Sequence, residues 1–408
     1  MGPGGRREGP VTRKKLRWLG LLLPLLFLPA CEGGSRHPSA AGNEAPEARK
    51  GEVGRLVIIG GALRSENTPV YQAVLDGRWG EGPLCVLPTA SGTPSSVMEG
   101  YVAAFDALGG AGTAEGILLT VDNRGEAASE EVVSRLRGCS GFFFTGGVQS
   151  RITDALLPHG EPTPAYHALW ERFQAGAVVS GSSAGAAVMS DPMIAGGSSE
   201  GALRQGIQGT SEGDGVWLAK GLGFLGPGMV DQHFLARGRW ARLLVGLLGS
   251  EKDSLGFGID ENTALVVEGD SAWVVGESGV VFLDARFAVR EDGGNGGYGV
   301  RMYLLGAGDV VEMGSGYVRS AVGKAPIPEG EEHFASPDTD LFEPRALPGM
   351  LLELSIAPES RLTFRQGGHF LEFRKEPGFR AMAWEQSGLQ GRTPGLFLGP
   401  FVLSVWRE

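Results

Sequence analysis

The chain has 408 residues, a formal net charge of −11 and 68 glycines. So acidic a chain argues against nucleic acid as a partner. Its three cysteines show no CxxC spacing, which argues against a thiolate metal site; no metal and no cofactor is expected.

The first predicted element is a targeting segment. Residues 13–17 form a basic cluster, and Trp18 to Leu28 is an apolar run too short to span a bilayer as a helix. Leu28-Pro-Ala-Cys31 follows and resembles a bacterial lipoprotein signal, which implies removal of residues 1–30 and lipidation of Cys31. Residues 31–53, rich in Gly, Ser, Ala, Pro and charge, read as a flexible tether. The expected location is extracytoplasmic, on a bacterial membrane held through the lipid anchor, in the periplasm or at the cell surface. Cys85 and Cys139 each lie in or beside an apolar run and read as small core residues rather than a bridge.

From Gly54 onward, short β-branched or aromatic runs alternate with amphipathic stretches. The runs are 55–59, 84–87, 116–121, 142–144 and 177–180; helices are predicted near 69–75, 96–108, 129–137 and 166–174. Apolar runs without alternation, separated by helices, predict an α/β fold with a mostly parallel sheet covered on both faces. In such folds ligands gather at the carboxyl ends of the strands. After about Trp273 the texture changes to short strand-like runs at 273–275, 280–283, 300–305, 351–356 and 401–406. Residues 54–320 read as the catalytic domain, and 325–408 as a C-terminal β-rich appendage to which the sequence assigns no role.

Chemistry concentrates at a few strand ends. Val178 to Met189 holds Gly181-Ser-Ser183-Ala-Gly185, an apolar run, a small-residue turn and helix formers, as in the nucleophile elbow of serine hydrolases. A serine hydroxyl needs a base within hydrogen-bond reach, oriented in turn by an acid. Of six histidines, His233 stands out because it ends the run Gly228-Met-Val-Asp231-Gln232-His233, with Arg237, Arg239 and Arg242 close behind. For the acid, Gly258-Ile-Asp260-Glu261 also ends an apolar-leaning run; Glu200, seventeen residues after Ser183, is the second candidate. The order Ser, His, Glu departs from the usual α/β-hydrolase order.

These pieces resemble the cyanophycinases and their relative peptidase E. The matching segments are Phe143-Phe-Thr-Gly146-Gly147-Val148-Gln149-Ser-Arg-Ile152, Gly181-Ser-Ser-Ala-Gly-Ala186 with Met193-Ile194, Gly221-Leu-Gly223 leading to Asp231-Gln-His-Phe234, and Gly258-Ile-Asp-Glu-Asn-Thr-Ala264, in the family order. The resemblance implies a flavodoxin-like sheet of the class I glutamine-amidotransferase type. It implies Ser183 as nucleophile, His233 as base, Glu261 as acid, and an oxyanion hole from the N–H groups of Ala184 and the Gly146-Gly147 turn. It also implies Gln149, Asp231, Gln232, Arg239 and Arg242 as substrate-recognition residues, the arginines gripping carboxylates bidentately. The implied activity is that of a serine exopeptidase on cyanophycin or other aspartyl or isoaspartyl peptides, working through an acyl-enzyme and releasing β-aspartyl-arginine-like dipeptides. A peptidase E-like dipeptidase for N-terminal aspartate is the alternative enzyme, and a non-catalytic peptide-binding lipoprotein the alternative of another class. The oligomeric state stays open, with a homodimer admitted. Two positions depart from the family pattern: Ser182 replaces the usual Thr, and Val148 stands where Asp is frequent, which bears on polymer specificity.

Overall fold

A computed structural model describes residues 53–208, 210, 212–328, 330, 339–384 and 395–408. The predicted signal, Cys31 and the tether lie outside the described residues. The described residues form one compact unit.

Two large sheets carry the fold. In the first, Leu56–Ile59, Val178–Ser182, Gly141–Phe144, Leu84–Leu87 and Ala114–Gly116 lie side by side, all parallel. Setting the N-terminal strand aside, the other four follow the flavodoxin order 2-1-3-4, and Leu56–Ile59 fills the fifth place. Beyond it the sheet turns antiparallel through Thr263–Glu268 and Ser271–Gly276. The strands are apolar throughout because both faces are covered. Val57, Ile59, Phe143 and Val178 point toward helices Thr68–Leu75 and Pro94–Gly109, through Val70, Val74 and Phe105. Ile58, Phe142, Phe144 and Val179 point the other way, toward helices Glu130–Gly138 and Pro164–Gln174 and toward one face of the second sheet.

That second sheet runs Ala325–Pro326, His369–Ala383, Phe397–Arg407, Gly297–Leu305, Val280–Asp284, Leu255–Ile259 and Met229–Gln232. Its last two strands are parallel, so their carboxyl ends emerge together. Its far face packs on helices Trp240–Gly249 and Ala346–Ile356 through Leu243, Leu244, Leu351 and Leu354.

Most predicted elements are present within a few residues. The run 116–121 is a strand only at its first residue, because pairing with Leu84–Leu87 covers Ala114–Gly116, and two further differences have physical causes. The run 351–356, expected as a strand, is the second half of helix Ala346–Ile356. This helix buries Leu347, Met350, Leu351 and Leu354 against the sheet, and Pro348 is tolerated in its first turn. Cys85 and Cys139, expected as separate core residues, form a disulfide with Cα atoms 5.8 Å apart. Parallel pairing of Leu84 with Gly141 brings the two cysteines together, a proximity that arises only once the sheet assembles. The β-rich C-terminal region is present, and its strand Phe397–Arg407 pairs with Gly297–Leu305 in the second sheet.

The cross-link spans 54 residues. By loop closure alone it should stabilise the fold by about 4 kcal/mol. Replacing both cysteines by alanine should therefore lower the denaturant midpoint clearly. An unchanged midpoint, or free thiols at Cys85 and Cys139 in the unfolded oxidised chain, would count against it.

Candidate active site

The strand Val178–Ser182 ends in a reversal. Ser183 takes φ +55° and ψ −108°, outside the regions an L-residue favours, and helix Ala184–Ala187 starts at once. Two glycines permit this. A Cβ on Gly181 would collide with the Gly185 carbonyl, and one on Gly185 with the Phe144 carbonyl. The serine side chain is thereby presented at the carboxyl edge of the sheet, where its Oγ lies 2.8 Å from His233 Nε2.

His233 follows directly on Met229–Gln232, also at positive φ (+50°). Its Nδ1 lies 2.7 Å from Glu261 Oε1, just beyond the neighbouring parallel strand Leu255–Ile259. A carboxylate can only accept, so the proton sits on Nδ1 and Nε2 offers its lone pair to the Ser183 hydroxyl. Burial holds the imidazole below its ordinary pKa; the hydrogen bond to Glu261 opposes this, while Arg237 and Arg239 reinforce it. The ring is accordingly neutral near pH 7, as a proton acceptor must be.

Three consecutive carbonyls at the end of the first strand hold this arrangement. Ile59 O accepts from Ser183 N at 2.9 Å, Gly60 O from His233 N at 2.7 Å and Gly61 O from Asn262 N at 2.7 Å. Gly61 has φ +113°, and a Cβ there would run into the His233 ring. Asn262, next to Glu261, is tied in further: its Oδ1 accepts from Arg64 N and its carbonyl from Asn67 Nδ2. Gly60, Gly61 and Asn67 escaped sequence reasoning. The signal was available, since Gly60-Gly61 closes an apolar run just as Gly146-Gly147 does.

Gly146 lies against Ser183, with space for a Cβ only 3.4 Å from the serine Cβ. Among the described residues, the amides of Gly146, Gly147 and Ala184 donate to no protein acceptor. Gly147 itself (φ +145°) passes so close to the Ala90 carbonyl that no side chain fits.

The remaining predicted residues divide. Glu200 is exposed and pairs with Arg204 at 3.6 Å, not with His233. Gln149 Nε2 donates to the carbonyls of Ile194 and Ala195. Arg242, expected to grip a ligand carboxylate, is buried with its guanidinium already occupied. Nε and Nη2 bond the two oxygens of buried Asp231 at 2.7 and 2.6 Å, and Nη1 bonds Gly197 O at 2.7 Å. Its position in the first turn of Trp240–Gly249 turns it toward the adjacent strand rather than outward. Arg239 differs. Its Nη1 donates to Gln232 O at 2.6 Å, while Nε and Nη2 have no protein acceptor among the described residues. Burial first, then Arg242, pushes its pKa down to about 10, so it stays cationic. Gln232 Oε1 is buried without a partner. No cluster among the described residues could hold a metal ion.

The model of peptidase family S51 matches residues 56–275, just over half of the chain. A cyanophycinase of Synechococcus elongatus is 35% identical over 240 residues, 58% of this chain and 70% of that one. A cyanophycinase of a Nostoc species is 32% identical over 277 residues, 65% of this chain and 86% of that one. Among solved structures, a peptidase from an acI-B1 Actinobacterium aligns over 64% of this chain and 97% of its own, at 23% identity and TM-score 0.47.

The contact between Gly61 and the imidazole has a direct test. Gly61→Ala must displace the ring, and a displacement near 1 Å costs about 10²-fold in rate. The variant should keep its far-ultraviolet circular dichroism and lose most of its turnover. Full turnover in Gly61→Ala would mean the ring has room to spare.

Proposed function

We propose that this chain, which belongs to peptidase family S51 and is a serine-type peptidase, cleaves aspartyl or isoaspartyl peptides of the cyanophycin kind through an acyl-enzyme. The continuous chain Ser183–His233–Glu261, with unpaired amides beside it, carries the reading. His233 Nε2 takes the Ser183 proton as Oγ adds to the scissile carbonyl, and Glu261 stabilises the imidazolium that forms. The oxyanion accepts from the N–H groups of Gly147 and Ala184. His233 then gives its proton to the departing amine, leaving an ester on Ser183. Water, deprotonated by the same nitrogen, hydrolyses the ester, and the proton returns to Oγ.

Substrate recognition falls to Arg239 and Gln232. Arg239 has free N–H groups for a carboxylate, and the unpartnered Gln232 Oε1 can accept from a substrate N–H. Arg242 supports this from behind, holding Asp231 within 4.0 Å of Arg239. One observation favours a second reading, peptidase E-like cleavage of short aspartyl peptides. Val148, half exposed beside the Gly146-Gly147 turn, offers no carboxylate to a substrate guanidinium.

The substrate is settled by assaying cyanophycin and Asp-X dipeptides side by side. Ser183→Ala should lose on the order of 10³ or more in kcat. Glu261→Gln should lose far more than Glu200→Gln. Because His233 acts as the neutral base and its pKa is depressed, kcat/KM should fall as pH drops through a midpoint below the ordinary 6.5. Near parental turnover in folded Ser183→Ala would end the hydrolase mechanism.

We further propose that the mature protein is anchored outside the cytoplasm through lipidated Cys31. The Cys85–Cys139 bridge supports an oxidising compartment. Labelled fatty acid should be incorporated by the parent and not by Cys31→Ser. A soluble mature protein beginning at another residue would refute the anchor.

A further inference from the structure

We propose that Arg345 is a positioning residue for His233, supplied by the C-terminal region outside the family-matched residues. The inference rests on His233 acting as the base.

His233 is joined to helix Trp240–Gly249 by the short loop 234–239, and the segment Leu341–Arg345 lies along that loop. Arg345 bonds it twice. Its backbone N–H donates to Leu235 O at 2.7 Å. Its Nη1 donates to Asp260 Oδ2 at 3.3 Å, while Asp260 Oδ1 accepts from Ala236 N at 2.8 Å. Asp260 is fully buried and immediately precedes Glu261. One carboxylate therefore ties the His233 loop to the base of the Glu261 turn, and Arg345 is the cation paired with it among the described residues.

The rest of the segment closes over the same loop. Trp240 Nε1 donates to Leu341 O at 2.8 Å, and Trp240 stacks on Phe342 with centroids 5.9 Å apart. Gly238 passes so near the Phe342 carbonyl that a Cβ would collide with it. Residue 345 itself takes a left-handed conformation, φ +63°, which turns the chain from the loop into helix Ala346–Ile356.

A residue at φ +50°, such as His233, keeps that conformation only where its surroundings over-determine it. The carbonyl of Gly60 holds its N–H side, and the clamp from Arg345 holds the chain just after it. The Arg345 guanidinium is half exposed, and without it buried Asp260 keeps only the neutral donors Ala236 N and Ser278 Oγ. The loop should then loosen, water should reach the imidazole, and the burial that depresses its pKa should weaken.

The full-length protein is compared with Arg345→Met and Arg345→Lys. Readouts are the rate of Ser183 labelling by a fluorophosphonate across pH, kcat and KM on the best aspartyl substrate, and the melting temperature. Arg345→Met should label and turn over about tenfold more slowly, with KM held within about twofold and the acid midpoint raised toward the ordinary histidine value. Arg345→Lys should restore most of the rate and the midpoint. Should Arg345→Met not fold, Arg345→Gln, which keeps a donor without the charge, takes its place. A labelled parent whose rate and midpoint the variants share overturns this proposal alone, as does a change confined to KM or to the melting temperature. A parent that fluorophosphonate does not label overturns the catalytic reading, and this one with it.

Discussion

Ile59, Gly60 and Gly61 present three successive carbonyls, and from these hang the backbones of Ser183, His233 and Asn262. The constraint is one of reach. Three side chains from distant parts of the sequence can meet within hydrogen-bond distance only if their backbones converge on a common edge. Here that edge is the end of the N-terminal strand, which pairs in the first sheet and also meets the carboxyl ends of two strands of the second. All three residues it holds, Ser183, His233 and Asn262, are at positive φ. Strain of that kind persists because the bonds around it leave no alternative, which keeps the proposed nucleophile and base aligned before any substrate arrives.

Electrostatics around this edge are arranged in pairs. Asp231 and Arg242 neutralise one another in full burial and lend rigidity to the strand that ends in His233. Asp260 performs a similar office beneath Glu261, with Ser278, Ala236 and Arg345 as its donors. Breaking the Asp231–Arg242 pair would leave a charge buried and uncompensated, a larger loss than the pair's net contribution, whereas the half-exposed Arg345 is partly screened by water. Arg239 alone of the two inner arginines keeps donors free, and its cation lies near the imidazole, helping to hold His233 neutral.

The C-terminal region belongs to this same system. Its strands complete the second sheet, and the segment before helix Ala346–Ile356 packs on the loop that follows His233. A region with no recognisable motif thus reaches the loop after His233 and Asp260 through main-chain hydrogen bonds, one stacked ring and one guanidinium. Such contacts put few demands on residue type and leave little trace in composition or spacing.

Much of the fold and the placement of the candidate site residues were legible because they depend on local physics. An apolar run followed by small residues makes a strand and an elbow wherever it occurs, so Ser183 and its helix stand out in the sequence, and polar residues after Met229–Val230 mark His233 at a strand end. Other features depend on which strands become neighbours. The Cys85–Cys139 bridge needed the register of Leu84 with Gly141. Arg242 lies in the first turn of its helix and Arg239 just before it, which decided that one is internal and the other has donors to offer. Glu261 rather than Glu200 meets the histidine because Leu255–Ile259 runs parallel beside Met229–Gln232. The sequence by itself determined the residue types and the strand ends at which the candidate catalytic residues lie. Only the tertiary structure decided which charges meet, because pairing between distant segments is set by sheet register and packing, not by any pattern within a segment.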